Sequence, residues 1–290
     1  MTEIAVHRRE PGVERVGFFT DTSVCIGCKA CEVACKQWND LPADGDEFGR
    51  GRSLDYTGSL GASTWRHVHF VEIPRPDDVD LVAMAQERQA LPEAGMDRWL
   101  FASDVCKHCT NAGCLDACPT GALIRTEFET VIVQADVCNG CGYCVTACPF
   151  GVIARDPYDG RAAKCTLCYD RLQDGLEPAC AKACPTDSIQ FGPYDELVER
   201  AQRRVLELHE RGVETAYLYG AGDEGPDQLA GGLGAFFLLT EPPERFGLPA
   251  NADSPVQEAM PGSTASGLVA GAVALATTAA AVLLAHRRGR

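Results

Sequence analysis

Residues 138–148 read CNGCGYCVTAC and run straight into Pro149. Four cysteines spaced C-x2-C-x2-C-x3-C, with a proline behind them, form the ligand run of a cubane iron-sulfur cluster. Three sulfurs bind one cluster and the fourth reaches a neighbouring one. The fourth sulfur therefore demands a second site, and the rest of the sequence supplies it. Of 16 cysteines in all, the others form three further quartets: Cys25, Cys28, Cys31 and Cys35; Cys106, Cys109, Cys114 and Cys118; Cys165, Cys168, Cys180 and Cys184. None is left over, and the count meets the demand of four [4Fe-4S] clusters.

Two other uses of cysteine are weaker. A disulfide framework spreads its half-cystines across a fold, whereas the first and third quartets are too local for their sulfurs to reach distant partners. Structural zinc takes two close cysteines, a spacer and two more, and only Cys165, Cys168, Cys180 and Cys184 have that form.

The formal charge of the protein is -15. Each oxidised cluster with its four thiolates adds about -2, giving about -23 in total. Nucleic acid, which needs a basic face, is excluded as a partner. Aromatic residues make up only 7% of the sequence. Cluster ligation is therefore expected to replace part of the apolar packing, with a core that is largely inorganic and a fold that depends on iron.

The N-terminal arm, residues 1–20, has no apolar core after Met1 and does not read as a signal peptide. A body over residues 21–192 follows. Gly27 permits a tight loop through Cys25, Cys28 and Cys31, with Cys35 on a helical turn. Residues 36–105 are an insertion whose most readable piece, TWRHVHFVEI at 64–73, alternates as a strand before Pro74. His67 and His69 share one face of it and are expected to be solvated. TVIVQ at 130–134 reads as another strand. The last three quartets end CPTGALI, CPFGVIA and CPTDSIQF, with an apolar residue five beyond each cysteine, at Leu123, Ile153 and Ile189. This is an internal repeat of turn and strand. Gly27, Gly140 and Gly142 serve as turn formers and also let backbone N–H groups approach sulfur, which raises a cluster's potential.

Residues 193–248 comprise a helix, expected over 193–212 and stopped by Gly212, and an extension packed on the body. GAGDEG at 220–225 matches a nucleotide fingerprint only formally, because Pro226 stands where the phosphate-binding helix should begin. Residues 249–265 are a linker. Residues 266–285, SGLVAGAVALATTAAAVLLA, are uncharged throughout and span about 30 Å as a helix, the thickness of a bilayer core. Gly267 and Gly271 form a small-residue face on it. With Arg287, Arg288 and Arg290 in the tail at 286–290, the tail is expected in the cytoplasm and the cluster body on the other side. A partner bearing a twin-arginine signal could carry such a body across, an expectation that follows from the charge bias of the tail.

The quartet spacings in order resemble those of the iron-sulfur beta subunit of membrane-bound respiratory formate dehydrogenases. So do STWRHVHFVE, WLFASDVCKHCTNAGCLDACPTGAL, AYLYG at 216–220, PERFGLP at 243–249 and the single C-terminal membrane helix. The resemblance covers most of residues 18–285, and subunits of dimethyl sulfoxide, nitrate and sulfur-compound reductases share the four quartets. It implies an α+β fold of two ferredoxin-like lobes with pseudo-repeats, each holding two [4Fe-4S] clusters, plus a C-terminal transmembrane helix. By the resemblance, Cys25, Cys28, Cys31 and Cys184 hold one cluster and Cys35, Cys165, Cys168 and Cys180 its neighbour. Cys106, Cys109, Cys114 and Cys148 hold a third, and Cys118, Cys138, Cys141 and Cys144 a fourth. Spacing alone favours pairing of the second quartet with the third and leaves sequential pairing open.

The function expected is electron relay without catalysis by this polypeptide. The donor would be a molybdopterin-type catalytic alpha subunit with molybdenum or tungsten, oxidising formate. The acceptor would be a quinone-reducing integral membrane subunit, and the anchor would sit in membrane lipid. A hydrogenase or another molybdoenzyme reductase is the alternative setting. A zinc-stapled, membrane-tethered interaction module is the alternative of a different class; it would be colourless, whereas cubanes are brown. A cluster enzyme with an open iron site would need a quartet short of one cysteine, and none is.

Overall fold

The sequence GFFT followed by aspartate builds a strand buried on both faces, β1 (Val16–Asp21), in which every residue after Val16 is buried. In the computed structural model, which describes residues 14–43, 57–74, 96–221, 229–256 and 259, β1 lies inside a four-stranded mixed sheet. Its parallel neighbour is the last strand, β10 (Ala235–Leu239), and its antiparallel neighbour is β8 (Ile189–Pro193). β9 (Tyr217–Tyr219) closes the sheet beyond β10, giving the order β8-β1-β10-β9. β10 reads AFFLL and is buried at every position, the continuous apolar run that a doubly covered strand requires. A Cβ on Gly17 would lie 2.3 Å from the Gly234 carbonyl oxygen, so β1 approaches the start of β10 as only glycine allows.

A long helix, Tyr194–Glu210, follows β8 directly and packs on β1, β8 and β9. Its buried residues, Tyr194, Leu197, Ala201 and Leu208, form a helical stripe. Phe19 stacks on Phe236 and Tyr194 meets the same ring edge-on, both at 5.5 Å between centroids. This core contains Leu229, Leu233, Phe236 to Leu239, Phe246 and Leu248, and no cysteine is among its fully buried members. The expectation of a largely inorganic core is thus corrected. One of three apolar cores is ordinary aliphatic and aromatic packing, and only the other two include buried cysteines.

Around the quartets the elements are short. α1 (Ala30–Trp38) follows the first C-x2-C loop, α2 (Gly113–Asp116) the second, α3 (Tyr143–Thr146) the third and α4 (Tyr169–Gln173) the fourth, with α5 (Ala179–Lys182) before the final cysteine. The helix at Tyr194–Glu210 is therefore α6. Small ladders join β4 (Leu123–Arg125) to β5 (Val131–Val133) and β6 (Ala154–Arg155) to β7 (Ala162–Ala163). β2 (Arg66–Pro74) pairs antiparallel with β3 (Met96–Val105), placing His67 opposite Asp104 and Phe70 opposite Phe101.

β2 departs from the one-sided strand its alternation suggested. Arg66, His67 and Val68 are all buried, because α1 packs on β2 and Val68 joins Phe18 in a second core. The expectation that His67 and His69 are solvated is corrected accordingly. His67 is fully buried, 3.5 Å from Glu32, with its ring edge-on to His69 at 4.5 Å. Among the described residues no helix is long and apolar enough to cross a membrane. The segment 266–285, its basic tail and most of GAGDEG lie outside the described residues, as do residues 1–13 and much of the insertion.

Candidate functional site

All four C-x2-C loops bend the same way. The residue before the second cysteine takes a left-handed backbone in each: Gly27 (φ 65°), His108 (43°), Gly140 (72°) and Leu167 (58°). Successive N–H groups then face inward, as in an anion-binding nest. The Leu167 N–H, for instance, bonds the Cys165 sulfur at 3.3 Å. At Gly140 a Cβ would also stand 2.5 Å from the Gly160 carbonyl oxygen, so glycine is required there twice over. Beyond each last cysteine of the final three quartets, the third residue is again left-handed: Gly121 (67°), Gly151 (63°) and Asp187 (51°).

The loops surround two cavities directly. One is lined by Cys25, Cys28 and Cys31 together with Cys184 from the far end of the body, and by Pro185 and Ser188. The other is lined by Cys106, Cys109, Cys114 and Cys148, with Lys107, His108 and Lys164 in its wall. The remaining cysteines gather in two more sets. Cys35 lies within electrostatic range of Cys168 and Cys180, and Cys165 within range of Cys35, Cys168 and Cys180. Cys144 is held up by burial and then by Cys118, Cys138 and Cys141. Quartet one thus meets quartet four and quartet two meets quartet three, and the helices follow, α1 packing on α5 and α2 on α3.

The sets form a file. With the Cys25 set as site 1, the Cys35 set as site 2, the Cys106 set as site 3 and the Cys144 set as site 4, neighbouring sulfurs influence each other at every step. The pairs are Cys31 with Cys180, Cys165 with Cys106, and Cys114 with Cys144. Cys28 at one end and Cys141 at the other are exposed, whereas every cysteine of site 2 is buried.

Burial dominates the electrostatics. It pushes the Cys31, Cys35 and Cys114 thiols up to about 12 and Cys168 to about 11, with neighbouring sulfurs adding to the rise. Cys118 goes the other way: burial acts upward, but N–H bonds from Leu123, Thr120 and Ala122 hold it below the ordinary thiol value.

Among the fully buried cations near these sulfurs are Arg66 (1% exposed) and Lys164 (2%). Arg66 Nη2 donates to the Cys180 sulfur at 3.2 Å and Nη1 to the Ser103 carbonyl at 3.2 Å. Lys164 Nζ donates to the Cys165 carbonyl at 3.0 Å, with the Cys106 sulfur within electrostatic range. Among the described residues neither has a carboxylate at ion-pair distance. A buried charge is kept only with a countercharge, and here only ionised sulfur can provide it. Lys107, by contrast, is paired with Asp104.

Among the described residues, two of the buried donors without a hydrogen-bond partner belong to residues beside these sulfurs. Arg66 Nε has no partner, nor has His108 Nε2. His108 Nδ1 accepts the Val131 N–H at 3.1 Å, which puts the ring proton on Nε2. Burial, followed by Lys164, Arg125 and Arg66, holds this histidine well below its usual value and so neutral.

Four thiols around a cavity, unmatched buried cations and spare N–H donors fit an anionic, sulfide-bearing group. Among the described residues no three His, Cys, Asp or Glu side chains converge as a single metal ion requires. At sites 1 and 3 the sulfurs ring a space instead, which suits a cubane better than zinc.

Sequence reasoning missed these supporting residues. Lys107, His108 and Lys164 adjoin cysteines and could have been flagged as charge or donors at a ligand run. Arg66 carried no local signal, because Cys180 is 114 residues away. Ser103, whose hydroxyl lies 3.2 Å from the Cys31 sulfur, is equally remote.

A family profile described as a 4Fe-4S dicluster domain matches residues 24–122, and a second of the same description matches residues 97–194. The protein is 42% identical over 200 residues to the formate dehydrogenase iron-sulfur subunit of Haemophilus influenzae, covering 69% of its own length and 58% of that relative, less than two thirds. It is 40% identical over 234 residues to the iron-sulfur subunit of the nitrate-inducible formate dehydrogenase of Escherichia coli K12, covering 79% and 70%. The B subunit of anaerobic dimethyl sulfoxide reductase from the same organism is 35% identical over 181 residues, covering 62% and 75%.

Proposed function

The protein belongs to the family of 4Fe-4S dicluster iron-sulfur subunits that includes those of formate dehydrogenases, and on that premise we propose that it is an electron-transfer subunit, not catalytic by itself. The observation that carries this reading is the file of four cysteine sets with an exposed sulfur at each end. Cys25, Cys28, Cys31 and Cys184 would hold the first cluster and Cys35, Cys165, Cys168 and Cys180 the second. Cys106, Cys109, Cys114 and Cys148 would hold the third, and Cys118, Cys138, Cys141 and Cys144 the fourth. When bound, [4Fe-4S] clusters supply one-electron redox chemistry.

The protein's own residues do the rest. Apolar side chains such as Phe18, Val68, Val105 and Leu172 wall the inner sites from water, which keeps charge interactions strong there. Left-handed loops aim N–H groups at sulfur, and Arg66 and Lys164 offset buried negative charge.

The donor in this reading is a molybdopterin-type catalytic subunit oxidising formate, supported by the identity to formate dehydrogenase iron-sulfur subunits exceeding that to the dimethyl sulfoxide reductase subunit. The acceptor is a quinone-reducing integral membrane subunit. The uncharged segment 266–285 anchors the protein in lipid, and the arginines behind it favour a cytoplasmic tail and an extracytoplasmic body.

The test is to purify the full-length protein anaerobically with its native partners and measure iron, acid-labile sulfide and zinc, then EPR spectra on adding formate. About sixteen iron and sixteen sulfide per polypeptide, with interacting cubane signals that appear on formate addition, supports the reading. Stoichiometric zinc without labile sulfide sinks it. For the topology, protease added to spheroplasts should cut the cluster body; a protected body places it in the cytoplasm.

A further inference from the structure

The two unmatched buried cations do not each belong to one site. Arg66 bonds the Cys180 sulfur of site 2 through Nη2, while its Nη1 lies 3.4 Å from the Ser103 hydroxyl. That hydroxyl is in turn 3.2 Å from the Cys31 sulfur of site 1. The guanidinium is locked there by the Phe18 ring, 4.7 Å from its carbon, and by the Ser103 carbonyl. Lys164 stands in the same relation one step on. It lines the site 3 cavity, with the Cys106 sulfur within electrostatic range. It is held from behind by the Val131 carbonyl and the carbonyl of Cys165, a cysteine of site 2. The first two junctions of the file therefore each contain one fixed positive charge.

We infer that Arg66 and Lys164 are electrostatic bridges, each tuning the two cluster sites between which it lies: Arg66 sites 1 and 2, Lys164 sites 2 and 3. The inference rests on the cluster assignment proposed above. A cation lying between two redox centres stabilises an added electron on either and so lifts both potentials. In a dry interior such a charge is weakly screened. A residue serving only as packing would lack this signature, because its loss would not move two named sites and spare the next.

The experiment uses the full-length protein in its native complex, with Arg66→Gln, Arg66→Lys, Lys164→Gln and Lys164→Arg variants. EPR-monitored redox titrations are run on each, the signals assigned through single serine substitutions at Cys28, Cys168, Cys109 and Cys141. Iron and labile sulfide are measured on the same samples. Arg66→Gln should lower the reduced-to-oxidised ratio at sites 1 and 2 about tenfold at fixed poise, which is about 59 mV for a one-electron couple. Lys164→Gln should do the same at sites 2 and 3, with site 4 unmoved in both. The charge-conserving variants should stay close to wild type. Shifts at one site only, at none, or equally in the charge-conserving variants overturn the inference. If a glutamine variant loses iron, its charge-conserving counterpart decides: full iron and near-native potentials support the electrostatic role, and equal loss refutes it. A wild-type protein without labile sulfide would instead overturn the cluster assignment.

Discussion

At the scale of single residues, the quartets impose backbone conformations that the side chains tolerate unequally. Asp187 occupies, after the fourth quartet, the left-handed position that Gly121 and Gly151 occupy after the second and third. It is exposed, so its backbone conformation decides the effect of substitution there. A left-handed conformation costs an ordinary L-residue about 1–2 kcal/mol and glycine almost nothing. Asp187→Gly is therefore expected to hold or slightly raise the thermal midpoint. Asp187→Val, β-branched, should cost about 1–2 kcal/mol and speed iron loss to a chelator; equal midpoints for the two variants would refute the account. The same positions show what could be read in advance. Gly27 and Gly140 announce the bend of their C-x2-C loops, but His108 and Leu167 make the same bend without any sequence sign. There the ligand geometry dictates the backbone against local preference.

At the scale of elements, helix α1 shows how short structure serves two sites. Cys31 and Cys35 lie one turn apart on it, yet Cys31 lines the cavity with Cys25 while Cys35 faces Cys168 and Cys180. The spacing C-x3-C made this division legible, and periodicity marked α6. The burial of β2 was not legible, since the same alternation fits a strand with one wet face, and only α1 folding across it covers His67. α6 reaches the sites as well. Arg204 donates to Asp21 at 2.9 Å and to the Ser23 hydroxyl at 3.2 Å, bracing the turn that leads into Cys25. The pair is partly buried, and Asp21 keeps bonds from Ser23, so Arg204→Ala should cost only about 1 kcal/mol. Its sharper effect is local: the site 1 EPR signal should bleach several-fold faster under chelation while those of sites 3 and 4 do not. Uniform bleaching would contradict it. Phe236→Ala, which removes the ring between Phe19 and Tyr194, should cost about 3–5 kcal/mol in thermal or denaturant unfolding and leave the EPR signals of surviving folded protein unchanged.

At the scale of the whole molecule, the two kinds of core make unequal demands on iron. The core of β1, β9, β10 and α6 buries aromatic and aliphatic groups without a fully buried cysteine, and its stability comes from apolar burial. The cores around Val68 and Val131 include Cys31, Cys106, Cys144, Cys165 and Cys180. Without iron, burial keeps protons on Cys31, pushed up to about 12, on Cys114, likewise pushed up to about 12, and on Cys165, raised well above the ordinary thiol value. Arg66 then has neutral Cys31 and Cys165 within range, and Lys164 neutral Cys114 and Cys165, and a buried charge that loses its partner costs about 3–5 kcal/mol. Metal loss thus removes both the cross-links and the countercharges of the cluster lobes, while the sheet loses only its attachments through β1 and β8. Hydrogen exchange after anaerobic chelation should accordingly show protection lost over residues 25–35 and 106–184, with amides of β10 and α6 exchanging much more slowly. Loss of protection at equal rates throughout would mean that the sheet and the cluster lobes unfold as one cooperative unit, and that the organic core cannot stand without the inorganic one.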